Sequence, residues 1–203
     1  MDRVCKDELI LMCMKLDVRD IISLSSINKS IKRKIENLWK YKLQDFPDYL
    51  NCDFENKTEK EIYRLVTLKE KLKLEENIYD IYNMKTLDLR RSMIIDIPKD
   101  LGILINLENL DLSNNRIREI PKELGNLINL EYLNLAGNKI REIPKELGNL
   151  FRLGILYLNL NNIKSLPKEL GNLRSLRMLY AYNNIFINIH DEIRNIPGLT
   201  LYI

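Results

Sequence analysis

The chain is predicted to be an α/β repeat solenoid of short parallel strands, and three observations carry that prediction. The first is a period of 23 residues. Leu110-Asp111-Leu112-Ser113-Asn114-Asn115-Arg116-Ile117, Leu133-Asn134-Leu135-Ala136-Gly137-Asn138-Lys139-Ile140 and Leu156-Tyr157-Leu158-Asn159-Leu160-Asn161-Asn162-Ile163 share the pattern LxLxxNxI. The second is a shared continuation of these segments: Ile120-Pro121, Ile143-Pro144 and Leu166-Pro167 each open the same run, P-K-E-L-G-N-L. The third is alternation inside the LxL segment, which turns Leu110 and Leu112 inward and Asn109, Asp111 and Ser113 outward. A unit of this length cannot bury its apolar side alone, so neighbours must stack into one continuous core.

The register extends over five units, 84–106, 107–129, 130–152, 153–175 and 176–198, with a stub at 199–203 that is expected to add a last strand with an open edge. The outer units diverge as end units do, with Ser92 in place of the asparagine and Ala181 and Phe186 at leucine or isoleucine positions. In the returning segment, leucines three apart (Leu124, Leu127, Leu130) suit 3₁₀ turns better than α-helix, and Gly125 eases a tight path. Asn115, Asn138, Asn161 and Asn184 read as scaffold, because a polar side chain inside a solenoid must satisfy the main chain of the adjacent bends.

These motifs resemble the intracellular leucine-rich repeat proteins of the 23-residue LP type. The resemblance implies a horseshoe with a parallel sheet on its concave side, where a partner protein is held. The register places on that side Thr86, Asp88 and Arg90; Asn109, Asp111 and Ser113; Tyr132, Asn134 and Ala136; Ile155, Tyr157 and Asn159; Met178, Tyr180 and Tyr182. The first two units offer small polar and acidic groups there. The later ones offer four tyrosines with an isoleucine and a methionine, the residue types enriched at interface centres. The expected target-binding residues are therefore Tyr132, Asn134, Ile155, Tyr157, Asn159, Met178, Tyr180 and Tyr182, with Asp88 and Asp111 at the polar end. Strands also favour aromatic side chains for their own sake, which is the competing account.

The region before the repeats divides into 1–50 and a helical linker and cap, 51–83. A helix over 58–72 is predicted from the capping box Thr58/Glu61 and an apolar face of Ile62, Leu65, Val66 and Leu72. It is expected to cover the apolar end of the first repeat. Further upstream stand Val4-Cys5, then Leu16-Asp17-Val18-Arg19-Asp20-Ile21-Ile22-Ser23-Leu24-Ser25, Ile27-Asn28-Lys29, Leu38-Trp39 and Gln44-Asp45-Phe46-Pro47. This order resembles an F-box, a small all-helical module that docks on a Skp-type adaptor of a cullin–RING ubiquitin ligase. The resemblance implies adaptor contacts through Val4, Cys5, Leu16, Ile21, Ile22, Leu24, Ile27 and Trp39. Cys5 stands where the family has proline, and the stretch from Ile31 to Trp39 is short for the motif. An F-box-like segment before LP-type repeats is similar to proteins encoded by giant DNA viruses.

Composition narrows the remaining functions. With 203 residues, 45% hydrophobic and 30% charged, the chain is globular rather than disordered. No apolar run reaches the length of a membrane span, and the first residues lack a secretion signal, so a soluble intracellular protein is expected. Net charge is +3; residues 1–83 balance at 16 basic against 16 acidic, and 84–203 hold 16 against 13. That excess is too small to argue for nucleic acid. The run Lys29, Lys32, Arg33, Lys34 reads as a solvated helix end. Cys5, Cys13 and Cys52 form no CxxC pair, and His190 stands alone beside Asp191 and Glu192. Phosphate-loop and dinucleotide fingerprints are missing. Glu123, Glu146 and Glu169 recur beside Lys122, Lys145 and Lys168 as a solvated ladder. No cofactor and no enzyme activity are expected. Two readings remain, an adaptor of a ligase and a scaffold whose N-terminal helices only cap the solenoid.

Overall fold

A computed structural model describes residues 59–76, 78–185 and 189–203. The chain forms two compact units, Met1–Thr67 with Asn77–Tyr79, and Leu68–Glu76 with Asp80–Ile203. Of the first, the described parts are the opening of helix α1 (Glu59–Leu72), where Leu65 and Val66 are buried, and residues 78–79. The predicted helix over 58–72 corresponds to this element, whereas its capping threonine lies outside the described residues. All of the F-box-like segment, Val4, Cys5, Leu16, Ile21, Ile22, Leu24, Ile27 and Trp39 included, also lies outside them.

The second unit holds the repeats. Helix α2 (Ile78–Asn83) leads into strand β1 (Thr86–Asp88), followed by β2 (Asn109–Asp111), β3 (Tyr132–Asn134), β4 (Ile155–Tyr157), β5 (Met178–Tyr180) and β6 (Thr200–Tyr202). The six strands form one parallel sheet in sequence order. Leu87, Leu110, Leu133, Leu156, Leu179 and Leu201 lie side by side across it. The register is 23 residues up to β5. The last step pairs Met178 with Thr200, one residue shorter, so the stub 199–203 supplies a true strand.

Each strand is three residues long because the chain must bend at once to return behind the sheet. The bend uses left-handed backbone at one recurring position in each coil, Arg91, Asn114, Gly137, Leu160 and Asn183, with φ between 54 and 67°, and in the first coil at Met93 as well (φ 56°). Asparagine and glycine accept that conformation readily, whereas Leu160 holds it against its own Cβ. The return runs are 3₁₀ helices, Lys99–Ile103, Lys122–Asn126, Lys145–Asn149 and Lys168–Asn172, each entered through an extended proline. In the last coil His190 takes the proline's conformation (φ −61°, ψ 142°) and opens the one-turn helix α3 (Asp191–Arg194). That is a structural position, as expected of a histidine in the proline's place.

The asparagines perform the scaffold role in full. Asn138 Oδ1 accepts the Ile117 N–H at 3.0 Å, while its Nδ2 donates to the carbonyls of Leu112 (3.0 Å) and Leu135 (3.1 Å). Asn115, Asn161 and Asn184 repeat this bridge between neighbouring coils. Without them three main-chain groups per bend would be desolvated and unpaired.

Two expectations about the return segments need correction. The recurring glycine does not serve a turn. A Cβ at Gly125 would stand 2.3 Å from the Glu146 carbonyl oxygen, and Gly148 meets Glu169 at 2.4 Å in the same way. Glycine is required there because consecutive 3₁₀ helices press backbone to backbone. For the same reason Glu123, Glu146 and Glu169 are half-buried rather than a solvated ladder, while Lys122, Lys145 and Lys168 are exposed. Glu123 Oε2 is buried without a hydrogen-bond partner.

Candidate functional site

The outward face of the sheet carries two side chains per strand and one more just beyond it, in columns that run along the solenoid. In the middle column stand Asp88, Asp111, Asn134, Tyr157, Tyr180 and Tyr202. This single column divides the face in two.

Over the first three coils the column bonds to its own chain. The Arg90, Ser113 and Ala136 N–H groups donate to Asp88, Asp111 and Asn134 Oδ1 at 3.1, 2.9 and 3.1 Å. Asp88 also receives the Arg90 guanidinium in a fork, Nη2 to Oδ2 at 2.6 Å and Nε to Oδ1 at 2.9 Å. That hydrogen bonding and charge hold the Asp88 carboxyl below its ordinary 3.8 and raise the guanidinium. Asn134 Nδ2 donates to Asp111 Oδ2 (3.1 Å) and to the Tyr132 hydroxyl (3.2 Å). These groups are spoken for.

From β4 onward the column turns aromatic. Tyr157 and Tyr180 stack at 4.5 Å between centroids and 3° between planes, and Tyr180 and Tyr202 at 4.4 Å and 1°. Tyr132, one column over, meets Tyr157 at 5.6 Å with a 53° tilt. Rings one coil apart fall naturally at this distance, because paired strands are about 4.8 Å apart. Tyr180, covered on both sides by Tyr202 and Tyr157, has its phenol pushed above the ordinary 10.0 by desolvation and then by its neighbours. Desolvation raises the Tyr132 phenol as well. The Tyr180 hydroxyl donates to Met178 Sδ at 3.5 Å. Tyr157 and Tyr180 offer no side-chain acceptor of the Asp or Asn kind to the N–H two residues on.

Most of the expected face residues lie on this surface, with differences. Asp111, Tyr132, Asn134, Ile155, Tyr157 and Tyr180 are half-buried by their neighbours, and Asp88 is exposed. The tyrosines are therefore not freely projecting rings. Met178, Tyr182 and Tyr202 are exposed at 39, 40 and 43%. Asn159 is only 6% exposed and Ser113 only 4%, against the expectation that both face outward. Strand β4 ends at Tyr157 and β2 at Asp111, two residues earlier, so alternation no longer directs these side chains and the short ones sink between coils. Asn159 Oδ1 is buried with no hydrogen-bond partner. Tyr182, at the same repeat position, is long enough to stay outside.

Sequence reasoning missed Tyr202 as part of the stack. Its signal was the dipeptide Leu-Tyr at 156–157, 179–180 and 201–202, hidden by the shortened last step. Among the described residues no group of three His, Cys, Asp or Glu side chains could hold a metal ion, and no helix is long and apolar enough to cross a membrane.

With this geometry in hand, comparison with known proteins becomes specific. A family model for the leucine-rich repeat region matches residues 122–200, and a leucine rich repeat model matches 82–140. No curated protein matches the chain. Among solved structures, a leucine-rich repeat protein of Leptospira interrogans is 34% identical with a TM-score of 0.59, over 66% of this chain and 33% of that one. PEPR1–AtPEP1 is 32% identical with a TM-score of 0.54, over 60% of this chain and 18% of that one. The ectodomain of the receptor kinase SOBIR1 from Arabidopsis thaliana is 29% identical with a TM-score of 0.51, over 57 and 66%. The chain thus spans about a third of the length of the Leptospira protein. Period, parallel sheet, asparagine bridges and family matches agree: residues 82–200 are a leucine-rich repeat domain, and the chain is a leucine-rich repeat protein.

Proposed function

We propose that the chain binds a partner protein on the outward face of its sheet, with the aromatic half as the anchor. The observation that carries this reading is the stacked column Tyr157–Tyr180–Tyr202 beside Ile155, Met178 and Tyr182. It is an apolar, preordered surface in a domain type that works by presenting surfaces. Stacking has already fixed these rings, so a partner would meet them at little entropic cost. The similar structure PEPR1–AtPEP1 pairs two named components, which suits the reading. Asp88 and Asp111, engaged with Arg90 and Asn134, would orient the partner and set its salt response.

In the finer form of the proposal, residues 1–50 dock on a Skp-type adaptor through Val4, Cys5, Leu16, Ile21, Ile22, Leu24, Ile27 and Trp39. The chain would then be the substrate receptor of a cullin–RING ligase in the cytoplasm, a host cytoplasm if the viral resemblance holds. Catalysis would be borrowed, by bringing a lysine of the held protein near a recruited enzyme. The support for this form is the sequence resemblance alone. In the coarser form the protein is a scaffold, with 51–83 capping the solenoid.

A photo-reactive phenylalanine at position 180, with the same residue at 145 as a control, tests the face in the full-length protein. The expected result is one protein captured from 180 and not from 145. Its affinity should fall by at least about 2 kcal/mol in Tyr180→Ala while the variant remains folded. Tyrosine variants that leave the partner's affinity untouched would move the site elsewhere. Titrating the full chain with a purified Skp-type adaptor and cullin separates the two forms; no binding favours the scaffold.

A further inference from the structure

The two edges of the repeat domain handle charge in opposite ways. On the edge entering the strands, neighbouring coils place opposite charges together: Lys85 Nζ meets Glu108 Oε1 at 2.8 Å and Arg152 Nη2 meets Glu131 Oε1 at 2.6 Å. On the edge leaving the strands the same coil-to-coil alignment stacks like charges. Arg116 N–H donates to the Ile94 carbonyl and Lys139 N–H to that of Ile117, so the 23-residue register holds through this bend. One column therefore reads Met93, Arg116, Lys139, Asn162, Ile185, and the next reads Ile95, Arg118, Arg141, Lys164. The five cations are exposed, and among the described residues none has a carboxylate within 4.0 Å. Like charges one coil apart repel, and no ion pair among the described residues offsets that repulsion. Exposed apolar side chains close both ends, Met93 at 70% and Ile185 at 55% exposure.

We propose that this edge, built on Arg116, Arg118, Lys139, Arg141 and Lys164, is a second docking surface, for an acidic peptide segment with apolar flanks. Three of the five cations are arginines, whose planar fork matches a carboxylate. Asp96, Glu119 and Glu142, exposed in the column that follows Ile95, Arg118 and Arg141, penalise a uniformly charged phosphate chain or lipid surface. A peptide can place carboxylates only opposite the cations. No aromatic side chain interleaves with these cations to stack a base. Met93 and Ile95 at one end and Ile185 at the other give the peptide's apolar flanks their counterpart. This surface is independent of the tyrosine face, and the protein would carry two partners, or two segments of one.

Fluorescence anisotropy on the full-length chain tests the proposal with three probes: a labelled peptide of glutamates with leucines at its ends, an oligothymidylate, and phosphatidylserine-containing vesicles. The expected result is that the peptide binds most tightly, weakens with added salt, and loses at least about tenfold in affinity in Arg118→Ser/Arg141→Ser. The control Lys122→Ser/Lys145→Ser, cations of the neighbouring 3₁₀ runs, and Tyr180→Ala should each leave that affinity unchanged. Circular dichroism melts confirm that all variants are folded, since every charged side chain replaced is exposed. The proposal is overturned if the wild-type chain fails to bind the peptide, if either control weakens it as much as the arginine variant, or if the oligothymidylate or the vesicles bind more tightly.

Discussion

The first three coils and the last three are built on one backbone, yet they leave the face of the sheet in different states. At Asp88, Asp111 and Asn134 the outward side chain turns back to take an N–H of its own chain, and Arg90 neutralises the acids. At Tyr157, Tyr180 and Tyr202 it stacks on its neighbours instead. Each polar rung takes an N–H within its own coil; the aromatic rungs pack ring on ring between coils. One half of the face is closed by local bonding and the other is ordered but open, the state the proposed anchor requires.

The comparison requires that the scaffold beneath both halves be equally strong. Leu133→Ala, under the polar half, and Leu156→Ala, under the aromatic half, each empty a fully buried site and should each cost about 2–5 kcal/mol. Denaturant midpoints that differ widely between the two would show that the halves differ in more than their surfaces. A replacement at the exposed Lys145, such as Lys145→Ala, should stay within about 0.5 kcal/mol.

Removing the central ring probes the aromatic half directly. Tyr180→Ala loses two stacking partners and should destabilise by about 1–3 kcal/mol, whereas Tyr180→Phe should keep most of that. If the two variants melt alike, the stack contributes nothing to the fold and serves only the surface.

Leu160 tests whether the bends are equivalent. It holds φ +59° where the preceding coils use Asn114 and Gly137. Leu160→Asn should stabilise by about 1 kcal/mol, because the strained conformation is one asparagine tolerates. A loss of stability would mean that the exposed leucine makes contacts that outweigh its backbone.

The smallest effects separate the halves by pH. Folded Tyr180 and Tyr132 keep their protons above the ordinary 10.0, so stability should decline as pH rises past that value, where the unfolded chain ionises first. Phenolate absorbance should show these two rings titrating late. In the polar half the Asp88 carboxyl lies below its ordinary 3.8. The stability it lends is present above that value and is lost as pH falls through the lowered one. Arg90→Gln, which removes the guanidinium but keeps the backbone N–H on Asp88, should weaken the acid response and leave the alkaline one in place.

Much of this was legible in the chain itself. Period and alternation fix the leucines, the asparagine bridges and the polar-to-aromatic gradient, because each depends on a local pattern repeated in register. The glycine's role was not legible. Gly125 looks like a turn residue until the Glu146 carbonyl of the next coil is seen against it. Nor was the fate of Asn159 and Ser113, since alternation is a property of strands and these strands stop two residues earlier.

What the sequence determined alone is the scaffold: a 23-residue unit whose leucines, asparagine and proline recur can fold only by stacking on its own copies. What only the tertiary structure decided is how neighbouring coils treat one another's side chains. It joined Tyr202 to the stack through a shortened step, buried Asn159, paired charges along one edge and lined up unpaired cations along the other. The reason is that these relations link residues about one repeat apart, across a strand spacing of about 4.8 Å. A repeat sequence states which residue occupies each rung, and the contact between rungs exists only once the coils are laid side by side.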